Sequence, residues 1–218
     1  MMVNGRDLRG LSLVELLVAM AILGFLLAGL LSLISGTAVF TSRATSQADR
    51  VRDLSDASGF IADSFRSSTE VIAGAASVTV NGGSGFDCEP NSCLAFFTPT
   101  FDAVTGAASG EVVPEVYTLV ARNTLPPEWF ADPPWEGATT NVLVRYVGVP
   151  VTDASSLSVD HPPSLVLDNI HNAAPFQIDA TGLTLTIRLS SARIERGTLS
   201  VSPTGGQPLV TQVTRRNP

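Results

Sequence analysis

Few residues in this chain have the type and spacing to do chemistry, and the first is a lone acid. Glu15 sits in the run GLSLVELLVAMAILGFLLAGL, which is otherwise almost wholly apolar from Leu11 to Leu31 and is preceded by Gly10. A charged side chain within a membrane span costs roughly 2.5–3.5 kcal/mol near the centre and less near an end. Glu15 is therefore either a solvated acid at a membrane boundary or an acid kept there for a partner. The second candidate is the pair Cys88 and Cys93 in FDCEPNSCLAF, the chain's two cysteines. With Pro90 bending the chain between them, they could close a short disulfide loop in an oxidising compartment. Zinc asks for four ligands, and the two histidines, His161 and His171, lie far off without metal spacing. C-x4-C is also not the C-x-x-C redox pattern. No metal and no cofactor are expected.

A catalytic constellation is missing from the sequence. Gly83-Ser84-Gly85 falls short of the G-x-S-x-G elbow because Phe86 and its neighbours do not complete it, and a glycine-rich turn is the better reading. There is no P-loop, dinucleotide fingerprint or H-E-x-x-H, so a non-enzymatic protein is expected. One proline-rich stretch, Pro126 to Gly137, holds both tryptophans, with Trp129, Phe130 and Trp135 as candidate anchors for a partner. The alternative is that these rings fold back and cap the sheet edge. Net charge is −7, and all thirteen basic residues are arginine, scattered along the chain. No basic stripe tracks a phosphate backbone, so nucleic acid is not the default partner, although a local basic patch is compatible with the composition.

The elements that must carry these residues follow from periodicity. The apolar run meets the roughly 20 residues needed to cross about 30 Å of hydrocarbon. It is longer than the 7–15-residue apolar core of a cleaved secretory signal, the obvious alternative. Arg6 and Arg9 against Asp7 place the N-terminus in the cytoplasm and the remainder outside, in the oxidising compartment the cysteines require. Beyond the span, Ala44, Ala48, Val51, Leu54, Ala57, Ile61 and Phe65 recur at helical spacing, while Arg52 and Asp56 are placed for an i, i+4 pair. The pattern predicts one helix from near Leu11 to near Arg66, roughly 80 Å long at 1.5 Å per residue. It would bend or pack closely at Gly59 and end at Ser67-Ser68-Thr69.

From there the pattern turns to short β-rich runs: 77–80, 94–98, 115–122, 141–149, 164–168, 183–189, 198–202 and 209–214. Alternation in LTLTIRL predicts a sheet with one covered face. The fold class expected is α+β, with an antiparallel sheet laid over the second half of the helix.

The run Gly10-Leu11-Ser12-Leu13-Val14-Glu15-Leu16 resembles the class III signal of type IV prepilins and type II secretion pseudopilins: a short basic leader ending in Gly, then an apolar helix with Glu at this position. The departure is Leu11, where Phe is commonest. The resemblance implies a pilin-like lollipop divided into a cleaved leader (1–10), a transmembrane and filament-core helix (11–40), an amphipathic helix half (41–68) and a β-rich periplasmic or extracellular domain (69–218). It implies cleavage by prepilin peptidase between Gly10 and Leu11 and methylation of the new Leu11 amine. It also implies partners in other pilin or pseudopilin subunits, with inner-membrane lipid around the helix before assembly. Glu15 would pair with the N-terminal amine of a neighbouring subunit. An acid and an amine buried in an apolar environment are each costly alone, and removing one member of such a pair costs about 3–5 kcal/mol; the pair would therefore set register.

The segment Ala62-Asp63-Ser64-Phe65-Arg66 and a last strand finishing in Arg216-Asn217 are similar to W-type minor pilins and J-type pseudopilins. No proline interrupts the first half of the helix, unlike many major pilins. These features imply a minor pilin of a type IV pilus. The alternatives are a type II secretion pseudopilin near the pseudopilus tip, or an ordinary single-span membrane protein with a periplasmic binding or enzymatic domain.

Overall fold

The computed structural model describes residues 13–130, 141–154, 156–160, 162–195 and 198–216. With no proline to remove a backbone donor, helix α1 runs unbroken over Leu13–Ser67. Its end lies where the serines were expected to stop it, and Ser68 Oγ donates to the Phe65 carbonyl at 2.8 Å. Gly59 is not a close packing contact: a Cβ there would meet nothing within 4 Å, and the helix continues past it.

The chain forms two compact units, Met1–Ser46 and Gln47–Pro218. In the first, every large apolar side chain from Leu13 to Ile34 is exposed. The helix there is long and apolar enough to cross a membrane. In the second unit the remainder of α1 buries Leu54, Ala57, Ile61 and Phe65, as the stripe predicted, together with Ser58 and Ala62. Val51 is half-buried, whereas Ala44 and Ala48 are exposed, so burial begins later than the spacing suggested. Near the start of the covered region the helix makes polar contacts instead. Gln47 bonds to Thr204, and Arg50 donates to Ser200 O and Oγ at 3.3 and 3.1 Å.

Among the described residues the β-structure comprises three sheets where one was expected. The largest is antiparallel throughout, in the order β1 (Glu70–Ile72), β4 (Cys93–Phe101), β5 (Ala108–Ala121), β6 (Asn141–Val147), β8 (Ser164–Ile170), β11 (Ser191–Glu195) and β12 (Thr198–Ser202). A second sheet orders β13 (Leu209–Thr214), β10 (Thr184–Leu189) and β9 (Phe176–Ile178). The third orders β3 (Phe86–Cys88), β2 (Ala76–Asn81) and β7 (Ser158–Asp160). In it β2 and β7 pair in parallel, a departure from the all-antiparallel expectation. The strands missed in sequence, β1, β3, β7, β9 and β11, are too short for a period of two to stand out; four of them span three residues.

Strand β4 explains why one covered face was too few. Its first five residues are all buried. Because successive side chains point to opposite faces, Leu94 and Phe96 join the core with α1, β10 and β13, while Cys93, Ala95 and Phe97 join a second core with β2 and β7. Burial of a large apolar side chain stabilises by roughly 1.5–3 kcal/mol, so Phe96 and Phe97 each tie a different layer to the same strand.

The two aspartate-held turns are stabilised locally. Backbone N–H groups of Thr105 and Val104, helped by the Thr105 hydroxyl, hold the Asp102 carboxyl below its ordinary value. The Thr184 N–H and the Thr181 hydroxyl do the same for Asp179. Gly148 marks a tight crossing, where a Cβ would overlap the Ser158 carbonyl oxygen and the Pro114 ring. Gly148→Ala should therefore lower unfolding free energy by about 1–3 kcal/mol in urea titration, since the bond from Gly148 N–H to Pro114 O, 2.9 Å, holds Gly148 against Pro114.

Candidate assembly site

Gly10 and Leu11, the expected cleavage junction, lie outside the described residues, as do Trp135 and His161. Glu15 lies in the first described turn of α1 among Leu13, Val14, Leu16 and Leu17, which are exposed by 53–76%. The acid thus stands among exposed apolar side chains at the start of the described helix.

Cys88 and Cys93 are joined by a disulfide, with their Cα atoms 5.2 Å apart. Both are buried, on β3 and β4 respectively. The loop they close turns at Asn91, whose φ of 70° is in the left-handed region an asparagine tolerates. Cys93 N–H donates to the Glu89 carbonyl at 3.0 Å, and the Asn91 carbonyl accepts from Phe176 N–H at 3.0 Å. The bridge thus fixes a turn that in turn seats β9.

The charged residues at the centre of the sheet escaped the sequence reading. Glu115 of β5 is 5% exposed. Its Oε2 accepts from Arg145 Nε at 2.9 Å, and Arg145 Nη2 stands 2.8 Å away; its Oε1 accepts from Thr98 Oγ1 at 3.1 Å. The Tyr117 hydroxyl lies 3.3 Å from Glu115 Oε2 and 3.3 Å from Ser64 Oγ of α1. Burial pushes the Tyr117 phenol well above its ordinary value, so it remains protonated as a donor. The Arg145 guanidinium also stands 5.2 Å from the Phe60 ring centroid, close enough for cation–π attraction. Charges are rarely buried unless paired. An acid in PEVYTLV and a base in NVLVRYV, each inside an apolar strand, were the available signal for this pair.

The aromatic loop folds inward at its described end. Trp129 and Phe130 are half-buried, and Arg122 stacks on Phe130 at 4.2 Å from the centroid. Arg122, itself buried, pairs with Asp168 at 3.0 Å. His171 is exposed. Among the described residues no group of three or more His, Cys, Asp or Glu could hold a metal. The last strand spans Leu209–Thr214, the run expected from the sequence; Arg216 lies beyond it, and Asn217 lies outside the described residues. After it Arg216 N–H approaches the Arg66 carbonyl at 3.4 Å, which returns the chain to the end of α1.

Residues 6–31 match the family described as the prokaryotic N-terminal methylation motif. The chain carries the class III signal of type IV pilins and pseudopilins. The match covers the basic flank, Gly10, Glu15 and the apolar run as far as residue 31 together. A pilin- or pseudopilin-like protein of this kind is processed by prepilin peptidase and assembles with other pilin subunits, and its apolar helix fits anchorage in the inner membrane. The motif does not extend to the β-rich unit, and no curated protein or solved structure matches the chain.

In the β-rich unit, removal of one member of the central ion pair should be more damaging than loss of a neutral bond. Glu115→Ala leaves the half-buried Arg145 without its carboxylate and should cost about 2 kcal/mol; Tyr117→Phe should cost about 1 kcal/mol. Chemical denaturation of the two variants side by side measures the difference. Cys93→Ser should cost about 2 kcal/mol, the entropy of opening so short a loop. The same method reads it.

Proposed function

We propose that this protein is a non-catalytic minor pilin that joins or initiates a type IV pilus. The carrying observation is the methylation signal at residues 6–31 leading directly into an unbroken helix over Leu13–Ser67. In this reading prepilin peptidase cleaves between Gly10 and Leu11, and the new Leu11 amine is methylated. The Glu15 carboxylate then pairs with the amine of a neighbouring subunit as the helix leaves the bilayer. Each charge alone in apolar surroundings is unfavourable, so subunits out of step leave both unpaired, and the register with pairing is selected.

The flank of Arg6 and Arg9 supports a cytoplasmic N-terminus and a periplasmic β-rich unit. A bridged Cys88–Cys93 pair fits that compartment. The absence of proline between Leu13 and Ser67 fits a type II secretion pseudopilin equally well. The two readings are separated by whether deleting the gene abolishes surface pili or protein export.

Processing and assembly read different residues. N-terminal sequencing of the mature protein should begin at Leu11, and a mature chain beginning at Met1 or Met2 overturns the reading. Glu15→Ala should leave cleavage nearly intact while reducing incorporation into sheared filaments at least tenfold by immunoblot. Incorporation at the native level would defeat the charge-pair account.

A further inference from the structure

Strand β8 has two more residues than its partner β6 can match. Asn141 faces Ile170, Leu143 faces Leu167 and Val144 faces Leu165. One residue is therefore inserted between Leu167 and Ile170 and another, Val166, between Leu165 and Leu167. Asn169, at the first insertion, takes a φ of 59°, and its N–H donates to Asp168 Oδ1 at 2.7 Å. Two bulges in so short a strand bend it and re-aim its side chains, a device frequent beside binding sites.

Between the bent strand and α1 lies a cleft of about 480 Å³, within the roughly 300–1,000 Å³ of ligand sites. Apolar side chains open into it: Phe60 of the helix is 46% exposed and Leu165 of β8 is 39% exposed. Its charges are unevenly satisfied. Arg145 is held by Glu115 and Asp168 by Arg122. Asp56 has only a distant partner, Arg52 at 3.7 Å, with both side chains more than two-thirds exposed, an arrangement of little energy in water. Asp53 has no hydrogen-bond or ion-pair partner among the described residues. An apolar floor thus meets a rim with uncompensated negative charge.

We propose that this cleft docks a cationic and apolar peptide segment of a different protein. An arginine or lysine can lay its aliphatic stem along Phe60 and Leu165 while its head reaches Asp53, and a following apolar residue can fill the floor. Polyanions are repelled by the same rim. A second copy of this chain, at net charge −7, is a poorer electrostatic match than a basic partner. The inference is independent of whether Glu15 pairs with an amine, because none of its residues lies in the signal.

The test uses the full chain in a non-ionic detergent and a labelled, capped pentapeptide alternating leucine and arginine, read by fluorescence anisotropy against empty micelles. Control peptides replace arginine with glutamate, or leucine with serine. Binding should be at least tenfold tighter for the leucine–arginine peptide than for either control, should weaken about threefold with Asp53→Asn, and should be lost with Leu165→Asp. Asp53 is exposed, so Asp53→Asn keeps the test decisive if Leu165→Asp disturbs folding. Equal binding of all three peptides overturns the proposal, as do variants that bind like the native chain. Self-association without peptide, abolished by Leu165→Asp, would make the occupant a second copy and overturn it as well.

Discussion

A single helix must satisfy two different solvents. Over its first half α1 is apolar on every side, and over its second it is apolar along one stripe only, yet no break separates the two regimes. A helix apolar all round needs lipid or other helices, whereas one with a single stripe needs a protein face. The sheets packed on its second half serve that second need. The seven-stranded sheet presents Leu94, Phe96, Tyr117 and Leu143 to Leu54, Ile61 and Phe65, and the sheet of β9, β10 and β13 closes the same core with Phe176, Leu185, Ile187 and Val213.

Specificity in that interface comes from its polar centre. An apolar stripe on an apolar sheet can slide, because dispersion and burial are non-directional. Glu115, Arg145, Tyr117 and Ser64 cannot, since displacement would leave a buried acid, base or hydroxyl without its partner. The aromatic rings add direction, with Phe65 edge-on to Phe96 and Phe96 stacked on Tyr117 at centroid distances of 6.1 and 5.8 Å. The same logic, on a smaller scale, is what Glu15 would supply at the other end of the helix, where the surface around it is equally slippery.

The far face of the large sheet shows how loops and short strands complete a unit of this size. The Cys88–Cys93 bridge, β2 and β7 cover Ala95, Phe97 and Val116, giving β4 two dry faces. On the near side the bulged strand β8 leaves the helix incompletely covered around Phe60.

By itself the sequence determined the long helix, its change of character, the disulfide-capable cysteine spacing and most of the longer strands. These are local properties: a period of 3.6 or 2 and a short signal are written in consecutive letters. The Gly10-to-Glu15 signal was legible for the same reason, because the enzyme that reads it reads a short segment. Only the tertiary structure decided that there are three sheets, that β4 is buried twice and that β2 and β7 run parallel. It also decided that Glu115 meets Arg145 and that Phe130 lies under Arg122. Each of these depends on residues far apart in the chain being brought together, and three-residue strands carry no period from which to foresee it. The cleft beside Phe60 is the extreme case, since its lining comes from α1, β6 and β8, whose residues lie far apart in the chain.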